Sequence, residues 1–370
     1  MRTPPYALLP LAIASALTWT ACDGDDDALV DDAPAVEIPA TYSFENVSYT
    51  GQQERLAMLA EIKSVLQSAV VDGADVSAER LQAMYANEEG ADFARAYGKQ
   101  IKSKTFEPVR EDYDRYFATF AALAADDTEP IAGPGVAGRI ASGEKTYLVD
   151  ARGVEWLQVI EKGLMGATFY YQATTVYMGE ERMSADNEVV TPGEGTDMEH
   201  HWDEAFGYLG VPRDYPTNTD DLQFWGTYTE RRSEDLGTGE ALMTALKKGR
   251  AAISAGALDV RDEAIAEARA AWELVAAGTA IHYLNSAEDR GDDLGGRLHD
   301  LSEAVAFAYA LQFNEATAID RAAFRTWLTD LAGGPDFESI DLHAVTDAEI
   351  AAAREQLAAT YDLEDQARQL

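Results

Sequence analysis

Between Gly153 and Gly179 the chain is apolar on all sides. Trp156, Leu157, Val159, Ile160, Leu164, Met165, Phe169, Tyr170, Tyr171, Val176 and Tyr177 leave no polar stripe at helical spacing. A helix that is apolar all round belongs at the centre of a protein, so the rest of the chain must be able to surround it. The only charges on this stretch are Glu155, Glu161 and Lys162.

The surrounding sequence supplies amphipathic helices. Leu56, Leu59, Ile62, Leu66 and Ala69 mark the first, and Leu81, Met84 and Tyr85 a second. Phe106 to Ala125 reads as a third. After the central stretch come helices near residues 196–209, 240–255, 261–286, 294–313, 321–331 and 347–361. Alternating β-branched residues are absent, and Pro130 to Gly143 reads as a break, so no strand is expected. The fold class that follows is all-α, as two antiparallel helical bundles over residues 41–235 and 236–370, the first holding the buried helix 153–179. A faint repeat points to an internal duplication. A buried helix with Gly166, Tyr170 and Tyr171 precedes His200-x-x-x-Glu204, and one with Gly278, His282 and Tyr283 precedes His299-x-x-x-Glu303.

The N-terminus reads as an export signal over residues 1–21: Arg2, an apolar run from Tyr6 to Leu17, then Thr20 and Ala21. The run is too short to span a membrane. Cys22, the only cysteine, stands where a lipobox places its lipidated residue, although Trp19 replaces the usual leucine. Residues 22–40, with Asp23, Asp25, Asp26 and Asp27, then read as an acidic flexible tether. The expected location is the cell envelope of a Gram-negative bacterium, anchored by lipid in the periplasm or at the cell surface. With 66 acidic against 29 basic residues the formal net charge is −37, which disfavours nucleic acid and anionic membrane surfaces as partners.

Two of the five histidines, His200 and His201, fall beside Glu199, Asp203 and Glu204. Thr196 or Asp197 can cap that helix, and Trp202, Ala205, Phe206 and Leu209 form its core face. His201 and Glu204 are i,i+3 and His200 and Glu204 i,i+4, a spacing that helix-bundle metal sites use. Imidazole plus carboxylate suits iron, zinc or manganese. A buried Glu161 needs a cation, a hydrogen-bond partner or a metal, with Arg152 or Arg231 as candidate ion-pair partners. His299 and Glu303 could form a hydrogen-bonded pair or supply the other half of a ligand set. His282 reads as a core histidine, and His343 lies in a polar loop. The chain has no His-Glu-x-x-His helix, no Gly-x-Ser-x-Gly elbow, no phosphate-cradling glycine loop and no cysteine nucleophile.

Several longer motifs carry a family resemblance. Tyr42-x-Phe44, Tyr49-x-Gly51-Gln52-x-x-Arg55-Leu56, the run Glu155 to Gly166 and the run Glu199 to Tyr208 resemble domain-of-unknown-function family 4856. That resemblance, from Thr41 onward, implies a bacterial lipoprotein without an established activity. More distantly the chain is similar to imelysin-like proteins, which implies an exported protein of two helical bundles linked to iron uptake. Their hallmark is Gly-x-His-x-x-Glu. Here Gln158-Val159-Ile160-Glu161 keeps the glutamate and replaces the histidine, and His201-x-x-Glu204 has Glu199 where the glycine would stand.

The expectation is a non-enzymatic, lipid-anchored helical protein that binds a metal, iron foremost, in acquisition, with an uptake-system protein as partner. Glu161, His201 and Glu204 would be ligands, with His200, His299 and Glu303 beside them. The alternatives are a metal-dependent hydrolase using Glu161 or Glu204 as general base, and an acidic interaction scaffold with no metal.

Overall fold

In the computed structural model, residues 36–126 and 130–370 are described, and they belong to one compact unit. Cys22 and the export signal lie outside them. The architecture is helical. The first three helices are α1 (Thr50–Val71), α2 (Ala78–Ala86) and α3 (Arg110–Ala124), and the buried helix follows as α4 (Trp156–Leu164). Next come α5 (Glu180–Met183), α6 (Asp197–Gly207), α7 (Trp225–Arg231), α8 (Ser233–Leu236) and α9 (Thr238–Ala255). The C-terminal part adds α10 (Leu258–Asp289), α11 (Leu294–Leu311), α12 (Arg321–Ala332) and α13 (Asp347–Thr360). No helix among the described residues is long and apolar enough to cross a membrane.

The central stretch is buried as its composition demands: every residue of α4 is buried, polar ones included. Its neighbours are α1, α3 and α11, while α10 packs along both α9 and α11. Residue 235, where the two bundles were expected to divide, lies in α8, and α11 from beyond it lies along α4 from before it. Both parts therefore share one core.

The winding of the central helix was not visible in the sequence. From Met165 to Tyr170 and from Gln172 to Tyr177 it is π-wound. Such segments bond each N–H five residues back, are rare, and concentrate at functional sites. A sequence reading at 100° per residue therefore holds through Leu164 and fails beyond it. Gly166 makes the closest approach. A Cβ there would lie 2.8 Å from the Ala310 Cβ and 2.9 Å from its Cα, so α11 can lie against the central helix only because this residue has no side chain.

The segment expected to be strand-free holds a hairpin: β1 (Gly138–Ser142) pairs antiparallel with β2 (Lys145–Val149), in the register Ser142 opposite Lys145. Gly143, at φ +57°, supplies the left-handed conformation that a two-residue turn needs. The strand signal was hidden because Tyr147, Leu148 and Val149 are all buried in succession, so no alternation appears. The hairpin is tied at both ends. Arg139 donates to the carbonyls of Ala69 and Val70, which the end of α1 leaves unsatisfied, and Ser142 donates to Asp293 just before α11 at 2.6 Å.

Filling the Gly166 contact tests this packing. Gly166→Ala is expected to destabilise the protein by roughly 1–3 kcal/mol, the usual cost of overpacking a tight core. The measurement is urea unfolding of wild type and variant; equal midpoints would show that α11 can move aside freely.

Candidate functional site

The six expected ligand residues fall into two separate clusters. Glu161, His299 and Glu303 join one, and His200, His201 and Glu204 the other.

The first cluster is a string of buried charges. Glu161, 2% exposed, accepts from the Lys63 ammonium of α1 at 2.8 Å on Oε1. The Lys162 Nζ lies 3.0 Å from its Oε2. Lys162, 3% exposed, also lies 3.5 Å from the Glu303 carboxylate and 5.4 Å from the centre of the Tyr228 ring. The His299 Nε2 stands 4.0 Å from Glu303, while its Nδ1 lies 2.6 Å from Glu155 Oε2. Gln158 Nε2 in turn donates to Glu155 Oε1 at 3.3 Å. The three charges of the buried helix are thus all members of this string. The cation that answers Glu161 is lysine, twice over, and neither Arg152 nor Arg231. Arg152 pairs with Asp150 at 3.1 Å, and Arg231 stacks on Tyr228.

Burial alone would push the Glu161 carboxyl up, yet Lys162 and Lys63 outweigh it and hold the pKa below the usual range. Burial would likewise depress Lys162, but Glu161 and Glu303 raise it well above the ordinary lysine value. His299 follows the same logic. Desolvation opposes its charge, and the Glu155 hydrogen bond, with the charges of Glu155, Glu303 and Asp300, wins and raises its pKa. The Tyr147 ring stacks on its imidazole at 4.3 Å. His299, Glu155, Gln158 and Tyr147 line a cleft of about 380 Å³, whose apolar walls are Val70, Val71 and Leu157. A second cleft of about 280 Å³ opens at the other end of the string, beside Lys63, Glu161 and Tyr228.

The second cluster stands on α6. Thr196 caps this helix, in a reciprocal box with Glu199. The helix turns two faces to different tasks. Trp202 and Phe206 are fully buried; Trp202 donates to the Leu246 carbonyl, and Phe206 stacks on Tyr42 at 3.8 Å. Asp203 accepts from Tyr42 at 2.8 Å and from Arg250 at 3.0 Å, and Glu199 pairs with Arg250 at 2.5 Å. Burial pushes the Asp203 carboxyl up to about 6 despite Arg250. The adjacent Glu204 goes the other way. Its Oε1 accepts from Gln52 at 2.9 Å and Tyr177 at 3.0 Å, and its Oε2 lies 3.3 Å from the His201 Nδ1. Burial raises it, but these hydrogen bonds and the charge of His200 bring it down to about 2. The His200 Nδ1 is buried without a partner. Among the described residues, no three or more His, Cys, Asp and Glu side chains gather as a metal site would require.

The remaining histidines are structural in placement. The His282 Nδ1 meets the backbone oxygen of Leu370, and His343 packs against Gly153. Glu155 and Lys162 went unassigned in the sequence although they stand out there as charges on an apolar helix. Lys63 and Tyr147 carried no such signal.

The model of the family described as Domain of unknown function (DUF4856) matches residues 39–363. The chain belongs to that family. No curated protein and no solved structure matches it. The motifs that carry the family resemblance therefore read physically. Tyr42, Trp202, Asp203 and Phe206 lock the N-terminal segment onto α6, and Glu155, Gln158, Glu161 and Lys162 build the charge string.

Lys162 holds that string together. Lys162→Met leaves Glu161 and Glu303 buried without their shared cation, and a loss of roughly 3–5 kcal/mol is expected. Chemical denaturation at neutral pH reads it. A variant as stable as wild type would mean that the carboxylates do not depend on this ammonium.

Proposed function

We propose that this chain is an exported, lipid-anchored binding protein that takes a small organic cation, an ammonium on an apolar body, in the cleft beside His299. The observation that carries the reading is the floor of that cleft. The Gln158 Oε1 is buried there with no hydrogen-bond donor, next to the Glu155 carboxylate. A buried acceptor without a donor costs free energy that a ligand N–H can recover. Val70, Val71 and Leu157 offer the apolar body its contact, and the volume is that of a small-solute site.

Charge balance favours a cation. Glu155, Glu161 and Glu303 face Lys63 and Lys162, so the string carries one uncompensated negative charge whenever His299 is neutral. An ammonium ligand and the His299 proton then compete for the same charge. Catalysis is less well supported. A general base works best with a pKa near the operating pH, whereas Glu204 sits at about 2 and Glu161 is clamped between two ammonium groups.

Calorimetric titration of the mature protein with benzylamine, and with benzyl alcohol as its neutral counterpart, tests the reading. Benzylamine should bind and benzyl alcohol should not. Affinity should rise with pH through the raised pKa of His299 and level off above it, because His299 loses the competing proton there. Glu155→Gln and the milder Gln158→Leu should each abolish binding. Equal affinity for amine and alcohol would overturn the proposal, as would stoichiometric uptake of ferrous, ferric, zinc or manganese ion that depends on Glu161 and His201. The anchor has its own test: Cys22→Ser should move the protein from the membrane fraction to the soluble fraction, and unchanged membrane association would remove Cys22 from the account.

A further inference from the structure

The cleft at the Lys63 end of the charge string sets opposite charges side by side. Its volume is about 280 Å³, and Lys63, Glu161, Arg231, Tyr228, Leu222 and Phe224 are in its lining. Glu161 is 2% exposed, and its Oε1 accepts from Lys63 at 2.8 Å. Its Oε2 is buried without a hydrogen-bond donor, because Lys162, 3.0 Å away, lies off the direction that a hydrogen bond requires. Lys63, whose side chain is 34% exposed, keeps two further N–H groups to offer. Arg231 is exposed and stacks on the Tyr228 ring at 5.1 Å, with no carboxylate partner among the described residues.

The apolar wall of this cleft is held in a strained conformation. Phe224, just before α7, stands at φ +46° and ψ −111°, which a bulky residue adopts only where its surroundings enforce it. Gly210 helps to enforce it. The Gln223 N–H donates to the Gly210 carbonyl at 2.8 Å, and a Cβ on Gly210 would lie 2.5 Å from the Gln223 carbonyl oxygen. The Phe224 ring is half-buried, edge-on to Phe169 at 5.8 Å. A charged ligand fits this cleft poorly. An ammonium at Glu161 would face Lys63 and Lys162, and a carboxylate at Lys63 would face Glu161. A hydroxyl group meets both needs: it donates to the carboxylate and accepts from an ammonium or guanidinium, and it brings no net charge.

We propose that this cleft, separate from the one at His299, binds one ring of a neutral sugar. Its hydroxyl groups would span Glu161, Lys63 and Arg231, and its C–H face would lie on Leu222 and Phe224. The hydrogen bond that Glu161 Oε2 lacks is the one a sugar hydroxyl supplies, and a buried acceptor gains most from such a partner. The volume is at the lower end for small-solute sites, which limits the occupant to a single ring.

Saturation-transfer difference NMR on the mature protein, titrated in turn with methyl glucoside, methyl mannoside and methyl galactoside, tests the site. At least one should bind saturably, with an affinity unchanged between low and high salt, since the ligand carries no charge to be screened. Arg231→Ala, at an exposed position, should weaken that binding about tenfold, the loss of one hydrogen bond from a charged donor. Phe224→Gly removes the ring and suits the backbone, so binding should be lost while the protein still unfolds cooperatively on heating. Absence of saturable binding of all three glycosides overturns the proposal. So does binding that Arg231→Ala and Phe224→Gly both leave unchanged, or that falls steeply with salt. Tighter binding of acetate or methylammonium at this cleft would overturn it as well, by showing that a charged ligand is preferred.

Discussion

The Lys162 ammonium, held between Glu161 and Glu303, is the interaction on which the rest of the structure depends. It allows a helix that is otherwise apolar all round to bring three charged side chains into the core. Burial alone would push the Glu161 carboxyl toward its protonated form, and this ammonium is the largest charge that opposes it. From it the string of contacts runs outward at both ends, through Glu161 to Lys63 on α1 and through Glu303 and His299 to Glu155. Each end opens on a cleft. A buried ion pair is weak evidence of stability in itself, since a well-packed apolar replacement often does as well. Its placement is what matters here: it links two surface sites through the middle of the protein.

The α6 helix shows how one short run serves two ends. Asp203 and Glu204 are neighbours in sequence, yet burial raises one to about 6 and hydrogen bonding lowers the other to about 2. The difference comes from the helix turn between them. One side chain points at Tyr42 and Arg250, where it ties the N-terminal segment down. The other points at Tyr177 and Gln52.

Much of this was legible in the sequence. The apolar stretch predicted the central helix, and helical spacing predicted the core face of Trp202, Ala205, Phe206 and Leu209, all fully buried. Thr196 was legible as a cap because capping is local. The string of charges was half legible: Glu155, Glu161 and Lys162 stand out on an apolar helix, but Lys63 lies 98 residues away, and no periodicity announces such a partner. The lysine beside Tyr177 was not legible, because Lys104 comes from a single 3-10 turn too short to show a face. The hairpin was hidden by its own burial, and the π-wound turns by the assumption that every turn advances alike.

Those π turns carry a consequence for how the chain can vary in length. A hydrogen bond closed five residues back encloses one residue more than the α ring does. Losing a residue between Met165 and Tyr177 could be absorbed by tightening one such turn to α, with everything downstream left in place. The same loss within Trp156–Leu164 has no slack to draw on, and would swing Glu161 and Lys162 about 100° away from their partners. The central helix is thus rigid in length where it carries charge and elastic where it carries aromatic rings.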